Sequence, residues 1–254
     1  MMDRRQLTQA QWLDAMGIDP FWISEAPAPA GVPITAVTSP AKPERVGDFA
    51  AKPVVAPSSL STIEATDWTA LEDEIRECRA CGLCLGRKQA VPGSGDRSAT
   101  WLMVGEAPGA DEDIAGLPFV GKAGKLLDAM LAALNLQRAQ GVYIANAVKC
   151  RPPENRTPEI GEIDACNGFL NRQIAMIQPQ VIVVLGRPAA YAVLGQEASI
   201  QSLRGSVHYR EQGGRRIPVI VTYHPAYLLR QPAEKWKAWQ DLLLADSALK
   251  ALPA

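Results

Sequence analysis

The amino-acid sequence predicts an α/β fold with three layers, α/β/α, around a central four-stranded parallel sheet. Past residue 61, short runs of continuous apolar residues alternate with longer segments whose apolar groups recur at helical spacing. Strands buried on both faces have such continuous runs, and their alternation with helices is typical of a parallel sheet covered on both sides. Residues 26–60 are instead rich in Pro, Ala, Val and Ser and show no periodicity, so a disordered N-terminal extension is predicted.

The elements of the folded part follow in a simple order. Asp67 is placed to cap a helix that runs through Trp68 toward Cys78. Strands are predicted at residues 100–105, 142–148, 181–185 and 217–223, and helices at about 122–136, 158–177, 188–194 and 233–249. The loops at 105–124, 146–156 and 224–230 leave strand carboxyl ends, where sheets of this kind bind ligands. We therefore expect the three loops to open on one crevice.

Three parts are expected along the chain. Residues 1–25 form a short amphipathic segment, residues 26–60 a Pro/Ala-rich linker, and residues 61–254 the folded domain. The formal net charge is −1, so any contact with nucleic acid must come from a local basic patch. The sequence has no apolar run long enough for a bilayer and no signal-peptide pattern. We expect a cytoplasmic monomer that does not contact membranes.

The five cysteines are Cys78, Cys81, Cys84, Cys150 and Cys166. An odd number in a reducing compartment argues against a disulfide framework and favours metal ligation. A close pair, Cys78 and Cys81, plus two distant thiolates can complete a four-sulfur site, which suits zinc or a [4Fe–4S] cluster. Cys84 is then the cysteine without an assigned role in the four-sulfur site. The alternative is that the cysteines are small buried hydrophobic residues.

Glycine is dense in residues 105–124, GEAPGADEDIAGLPFVGKAG. A phosphate-binding loop would also be rich in glycine, but GxGxxG and GxxxxGK[S/T] are both absent from this segment. Its acidic residues would repel a phosphate. A flat, uncharged ligand with amide edges fits better, because Phe119 offers a stacking face and the glycines allow close backbone contact.

Together these segments resemble the family 4 uracil-DNA glycosylases, within the uracil-DNA glycosylase superfamily. The matching motifs are GEAPG at 105–109, ED at 112–113, GLPFVG at 116–121, NAVKCRPP at 146–153, LRG at 203–205 and YHPAYLLR at 223–230. They occur in the family's order and cover about residues 70–250. The resemblance implies hydrolysis of the N-glycosidic bond of flipped-out deoxyuridine in DNA, the first step of base-excision repair. It also implies a [4Fe–4S] cluster held by Cys78, Cys81, Cys150 and Cys166.

The chemistry of the predicted crevice agrees with this resemblance. A glycosylase takes the base out of the stack and reads its Watson–Crick edge in a pocket. Asn146 can offer both a donor and an acceptor to uracil, and Phe119 can stack on the ring. His224 can donate a hydrogen bond to uracil O2 as negative charge develops. The alternatives are a turn residue for Asn146, plain core for Phe119, and a turn or core residue for His224.

Four loop residues are expected around the base and the attacking water. Ala107 stands where the family 1 enzymes carry an aspartate, which leaves Glu106 or a backbone-held water as candidates for activating the nucleophile. Ala107 and Gly109 are predicted to contact the base. Glu112 is placed by the resemblance near the C5 edge, where it would exclude the methyl group of thymine. The alternative for Glu112 is a solvated acid.

Basic residues flank the three motif loops. Lys122, Arg151, Arg204 and Arg230 are predicted to contact DNA phosphates, which positions a duplex without reading its sequence. Leu228 is predicted to fill the gap left by the flipped base, with Leu229 as the alternative wedge. A solvated basic face is the other interpretation of the four cations.

Two other functions remain as alternatives to turnover. One is a superfamily branch that binds uracil-DNA covalently and carries a basic, His-bearing insertion after the Asn146 motif; residues 151–165 hold no histidine. The other is an iron–sulfur module that binds uracil-DNA or recruits partners without catalysis. The N-terminal segment, WLDAMGIDPFW at 12–22, is similar to the N-terminal peptide of the psi subunit of the bacterial clamp loader. That likeness suggests recruitment to replication proteins; a tail of exposed aromatic residues is the alternative.

Overall fold

The computed structural model of the chain describes residues 67–252, together with Asp14. The predicted amphipathic segment and Pro/Ala-rich linker lie outside the described residues, apart from Asp14. Residues 67–252 contain no helix that combines the length and the apolar character needed to cross a membrane.

A six-stranded sheet organises residues 67–252. Its strands are β1 (Ser94–Gly95), β2 (Trp101–Gly105), β3 (Val142–Asn146), β4 (Val181–Leu185), β5 (Val207–Gln212) and β6 (Arg215–Thr222). They lie in the order β1-β3-β2-β4-β6-β5, and the four inner strands are mutually parallel. The predicted four-stranded parallel sheet is therefore confirmed as the centre of a larger one.

Antiparallel strands at both edges were not predicted. β1 has two residues and pairs with β3, while β5 pairs with β6 through a tight turn at Gly213 and Gly214. The sequence of β5, VHYREQ, is mostly polar because one of its faces is exposed. An edge strand of this kind lacks the continuous apolar run by which the inner strands are recognised.

Helices cover both faces of the sheet. They are α1 (Trp68–Glu77), α2 (Ala110–Ala115), α3 (Lys122–Ala133), α4 (Ile160–Ile177), α5 (Arg187–Leu194), α6 (Ile200–Leu203), α7 (Pro225–Arg230) and α8 (Lys235–Lys250). Asp67 caps α1 as predicted, because its carboxylate accepts from the Thr69 N–H at 3.1 Å. The short helices α2 and α7 lie within segments that were predicted as loops, and α6 lies in a segment for which no element was predicted.

Two apolar clusters hold the layers together. Leu102 and Val104 on one face of β2 pack with Leu170 and Ile174 of α4. Alternate residues of the same strand, Trp101 and Met103, belong to the second cluster with α3 and α8. Because successive strand residues point to opposite faces, a fully apolar strand is buried on both sides, as the three-layer prediction requires.

Candidate active site

A crevice of about 500 Å³ opens at the carboxyl ends of the parallel strands. Its lining comes from the loop after β2, the loop after β3 and helix α7 with the residue before it, and includes Glu106, Gly109, Glu112, Phe119, Asn155, His224 and Arg230. The expectation that three loops share one crevice is confirmed. The site lies at this edge because parallel strands direct all their carboxyl ends to the same side of the sheet.

Asn146 is the last residue of β3, directly opposite Gly105 in the register with β2. Its side chain is 1% exposed, and its Oδ1 atom is buried without a hydrogen-bond partner. A Cβ at Gly105 would lie 2.4 Å from that oxygen and 2.6 Å from the Phe119 ring, so only glycine fits there. An unpaired buried acceptor costs about 1–3 kcal/mol, a cost that a ligand N–H would remove.

Phe119 and His224 form an aromatic pair in the crevice. Their ring centroids are 5.5 Å apart and the ring planes differ by 29°. Phe119 also lies against Gly105, which places its ring beside the Asn146 amide. The sequence predicted that Phe119, Asn146 and His224 would meet, and the structure brings the three together. A flat ring and an amide at its edge suit a planar, hydrogen-bonding ligand.

The protonation of His224 follows from its surroundings. Burial lowers the pKa of its imidazole to about 4, helped by the Arg230 charge and opposed by Glu112. The side chain caps α7, with Nδ1 accepting from the Ala226 N–H at 3.1 Å. A neutral imidazole whose Nδ1 accepts must carry its proton on Nε2. His224 therefore offers one N–H donor.

Glu106 follows β2 and lines the crevice close to His224, since both lie near Gly186. Burial raises the pKa of its carboxyl, while a hydrogen bond from Thr157 and the charges of Arg187 and Arg230 act in the opposite direction. A carboxyl with a raised pKa in a cleft is a common feature of acid–base chemistry. Ala107, next in the chain, also lines the crevice.

Glu112 holds the glycine-rich loop in shape. Its carboxylate accepts from the backbone N–H groups of Gly109 at 3.0 Å, Val120 at 2.9 Å and Gly121 at 3.1 Å. The loop therefore folds around this side chain, with Gly109 preceding α2. The alternative of a free, solvated acid is wrong, because both carboxylate oxygens are occupied by the protein itself.

Sequence reasoning missed Lys149, a buried cation behind the crevice. Its side chain is 1% exposed, and Nζ donates to the Asn146 carbonyl at 2.8 Å and to Gln173 Oε1 at 2.7 Å. Gln173 in turn donates to the Pro92 carbonyl at 2.8 Å. Burial lowers the pKa of Lys149 to about 8, while Cys166 and Cys150 act to raise it. The lysine stood in the NAVKCRPP motif, but nothing in the motif alone indicated that it is buried.

All five cysteines line one cavity, together with Arg87 and Lys149. Within residues 67–252, no three His, Cys, Asp or Glu side chains are arranged to hold a single metal ion. Arg87 Nη1 donates to Cys150 Sγ at 2.8 Å, and burial raises the pKa of that thiol to about 11. The cysteines that are distant in sequence thus meet, and Cys84 lies with the other four.

Two of the residues predicted to contact DNA are engaged within the protein. Arg204 pairs with the buried Asp241 at 3.0 Å and donates to the Lys237 carbonyl at 2.7 Å, so its guanidinium is used inside the protein. Leu228 is 1% exposed and packs in the second core cluster, whereas Leu229 is 42% exposed. The helix α7 points successive side chains in different directions, so that of the two leucines Leu229 points outward and Leu228 inward.

The other predicted DNA contacts remain available. Lys122 at the start of α3 and Arg230 at the end of α7 are exposed, and Arg230 lines the crevice. Arg151 donates through Nε to Asn155 at 2.7 Å, which leaves its two terminal amino groups for a ligand.

Comparison with known proteins agrees with this site. The model of the uracil DNA glycosylase superfamily matches residues 92–243. A type-4 uracil-DNA glycosylase of Archaeoglobus fulgidus is 46% identical over 169 residues, which are 64% of this chain and 84% of that protein. The type-4 enzyme of Saccharolobus solfataricus is 41% identical (72% and 87% covered), and that of Thermotoga maritima is 42% identical (71% and 93% covered).

The fold, the crevice and the superfamily match define the class: this is a protein of the uracil-DNA glycosylase superfamily. The alignments with these three relatives include most of the length of each relative. In each alignment more than two fifths of the residues are identical to those of this chain. The chain belongs to the type-4 uracil-DNA glycosylases.

Proposed function

We propose that the chain hydrolyses the N-glycosidic bond of deoxyuridine in DNA and so initiates base-excision repair. The observation that carries this proposal is the buried, unpartnered Oδ1 of Asn146 beside the Phe119–His224 pair. Uracil N3–H is a donor of the right kind for that oxygen, and the ring of a flipped base would stack on Phe119.

Asn146 also supplies discrimination. Its amide nitrogen donates to uracil O4 when Oδ1 accepts from N3–H. Cytosine presents a donor at position 4 and an acceptor at N3, so it would leave both groups of a fixed amide unpaired. A buried site built to pair a polar group rejects an analogue that cannot pair by about 10⁴-fold or more. The Lys149 hydrogen bond to the Asn146 carbonyl supports such a fixed position.

Bond cleavage leaves negative charge on uracil O2 and positive charge on the sugar. Neutral His224 with its proton on Nε2 is suited to donate to O2 as that charge grows, because a donor placed in advance needs no reorganisation. Glu106 near His224 is suited, as a carboxylate, to orient a water toward the sugar and accept its proton. Glu112, Ala107 and Gly109 shape the loop beside the base, and a loop held rigid by Glu112 would exclude the thymine methyl.

We further propose that Cys78, Cys81, Cys150 and Cys166 hold a [4Fe–4S] cluster. A single zinc ion needs its sulfurs about 2.3 Å from one point, whereas a cluster spreads its thiolates around a larger body. Cysteines from three separate segments line one cavity, which suits the larger body. When bound, the cluster would join the segment after α1 to Cys150 and α4, and Arg87 would offset thiolate charge.

Exposed groups around the crevice are suited to hold the DNA. Lys122, Arg151 and Arg230 would contact phosphates, and Leu229 would enter the space of the flipped nucleotide. We also propose that the protein is a monomer and that it acts in the cytoplasm.

Turnover on a uracil-containing oligonucleotide tests the proposed activity. Purified protein should release free uracil over many cycles and leave abasic sites, and Asn146→Asp should abolish activity or relax the rejection of cytosine. A stable covalent adduct with DNA, or binding without release, would support the alternatives. Arg172→Gln, which breaks a surface ion pair with Glu74, is the matched control and should retain the full rate.

Recruitment to replication proteins through residues 1–25 is our proposal for the N-terminal segment. It rests on the sequence similarity of residues 12–22 to the psi peptide and on Trp12, Phe21 and Trp22, which are typical hot-spot residues. A variant lacking residues 1–60 should excise uracil at an unchanged rate but lose binding to purified chi subunit. Equal binding with and without residues 1–60 would contradict recruitment.

A further inference from the structure

Phe119 has an unusual backbone conformation for an aromatic residue. Its φ angle is +56°, in the left-handed region that favours glycine. The ring is nevertheless 6% exposed and stacks against His224. A residue that is both strained and central to a binding surface needs contacts that hold it in place.

Arg138 supplies those contacts from the connection between α3 and β3. Its Nη1 donates to the Pro118 carbonyl at 2.8 Å, and its Nη2 donates to the Phe119 carbonyl at 2.6 Å and to the Gly124 carbonyl at 3.3 Å. Its Nε pairs with Asp128 of α3 at 2.5 Å. One guanidinium thus spans the peptide groups on both sides of the Phe119 Cα and fixes them to helix α3.

The Phe119 carbonyl also packs closely against Gly124 of helix α3. A Cβ at Gly124 would lie 1.7 Å from the Phe119 oxygen, so the loop packs directly on the backbone of α3. A Cβ at Gly105 would meet the Phe119 ring at 2.6 Å. Phe119 is therefore held at its ring by Gly105 and His224, and at its carbonyl by Gly124 and Arg138.

We propose that Arg138 is a positioning residue for uracil excision, acting through Phe119 on the stacked base. This proposal rests on the proposed function. Arg138 is not among the residues that line the crevice, so it has no contact with the base of its own. Without the guanidinium, the strained φ of Phe119 can relax and the stacking surface moves away from Asn146 and His224.

The test is a double-mutant cycle between Arg138→Gln and Phe119→Ala, followed by single-turnover excision from a uracil-containing duplex. Alone, Arg138→Gln should slow excision by about 10- to 100-fold, the scale for displacing a group that orients the substrate. In the Phe119→Ala background it should cause no further loss. Arg138→Lys, which keeps the charge but not the planar fork, should fall between Gln and wild type.

Binding to a duplex with an abasic-site analogue separates positioning from general damage. That ligand has no base to stack, so Arg138→Gln should bind it with wild-type affinity. If Arg138→Gln does not fold, Asp128→Asn, which removes only the anchor of Nε, takes its place in the cycle. An unchanged excision rate, an equal loss in both backgrounds, or weakened abasic-site binding would each overturn the proposal. A wild-type protein without excision would instead overturn the proposed function, and this inference with it.

Discussion

At the scale of single residues, His224 and Glu106 have opposite pKa shifts from the same cause. Burial lowers the pKa of the imidazole and raises that of the carboxyl, because a low-dielectric site disfavours the charged form of each. At neutral pH His224 is a neutral donor rather than an imidazolium. We propose that its contribution to excision is a hydrogen bond to a developing anion.

Replacement of His224 tests that hydrogen bond. His224→Ala should slow single-turnover uracil release by about 10²-fold or more, the usual effect of removing a donor from a developing anion. Binding to the abasic product should change little. A near wild-type single-turnover rate in His224→Ala would show that the donor is another group.

The dependence of kcat/KM on pH tests Glu106. If the carboxylate orients water, activity is present above its raised pKa and lost as pH falls through that value. In Glu106→Gln the slower residual activity should lack this acid limb, because no carboxylate remains to be protonated. The measurement is a profile from about pH 8 down to about pH 4 for both proteins. If kcat/KM of Glu106→Gln falls over the same pH range as kcat/KM of the wild type, Glu106 does not have this role.

At the scale of elements, α7 separates two adjacent leucines. Leu228 is buried beneath the helix, and Leu229 is exposed on its outer side. Leu228→Ala should lower the free energy of unfolding by about 2–5 kcal/mol, since it leaves a cavity in the core. Leu229→Ala should leave stability within about 0.5 kcal/mol and slow excision from duplex DNA.

Single-stranded DNA is the control substrate for the proposed insertion of Leu229 into the base stack. It has no stack for Leu229 to enter, so Leu229→Ala should excise uracil from it at the wild-type rate. Equal slowing on single and double strands would contradict the wedge. The sequence placed both leucines in the motif, but the direction of each depends on how α7 packs against α3 and the core.

At the scale of the whole molecule, the cysteine cavity joins the segment after α1 to the loop after β3 and to helix α4. Cys150→Ser should remove the iron and the broad visible absorption, and it should lower the melting temperature, because metal binding is coupled to folding. Cys84→Ser should keep both. Iron content and thermal unfolding measured on each variant decide this prediction. Stoichiometric zinc in the wild-type protein, or iron lost from Cys84→Ser, would contradict the assignment.

The local pattern of the sequence determined the four inner strands, the long helices and the three loops at their ends. These features depend on the spacing of apolar residues within short segments, and this spacing can be read from each segment without the rest of the chain. The resemblance also named Asn146, Phe119 and His224; in the structure Phe119 and His224 line one crevice, and the buried Asn146 amide lies beside the Phe119 ring.

Only the tertiary structure decided which long side chains face the ligand and which face the protein. Arg204 turns inward to Asp241, Leu228 enters the core, Lys149 reaches the Asn146 carbonyl, and Arg138 reaches the Phe119 loop. Each of these contacts joins residues from different segments, and a flexible side chain has no preferred partner until the backbone brings one within reach. Motif spacing therefore predicts where a site forms, while packing determines which residues hold it in shape.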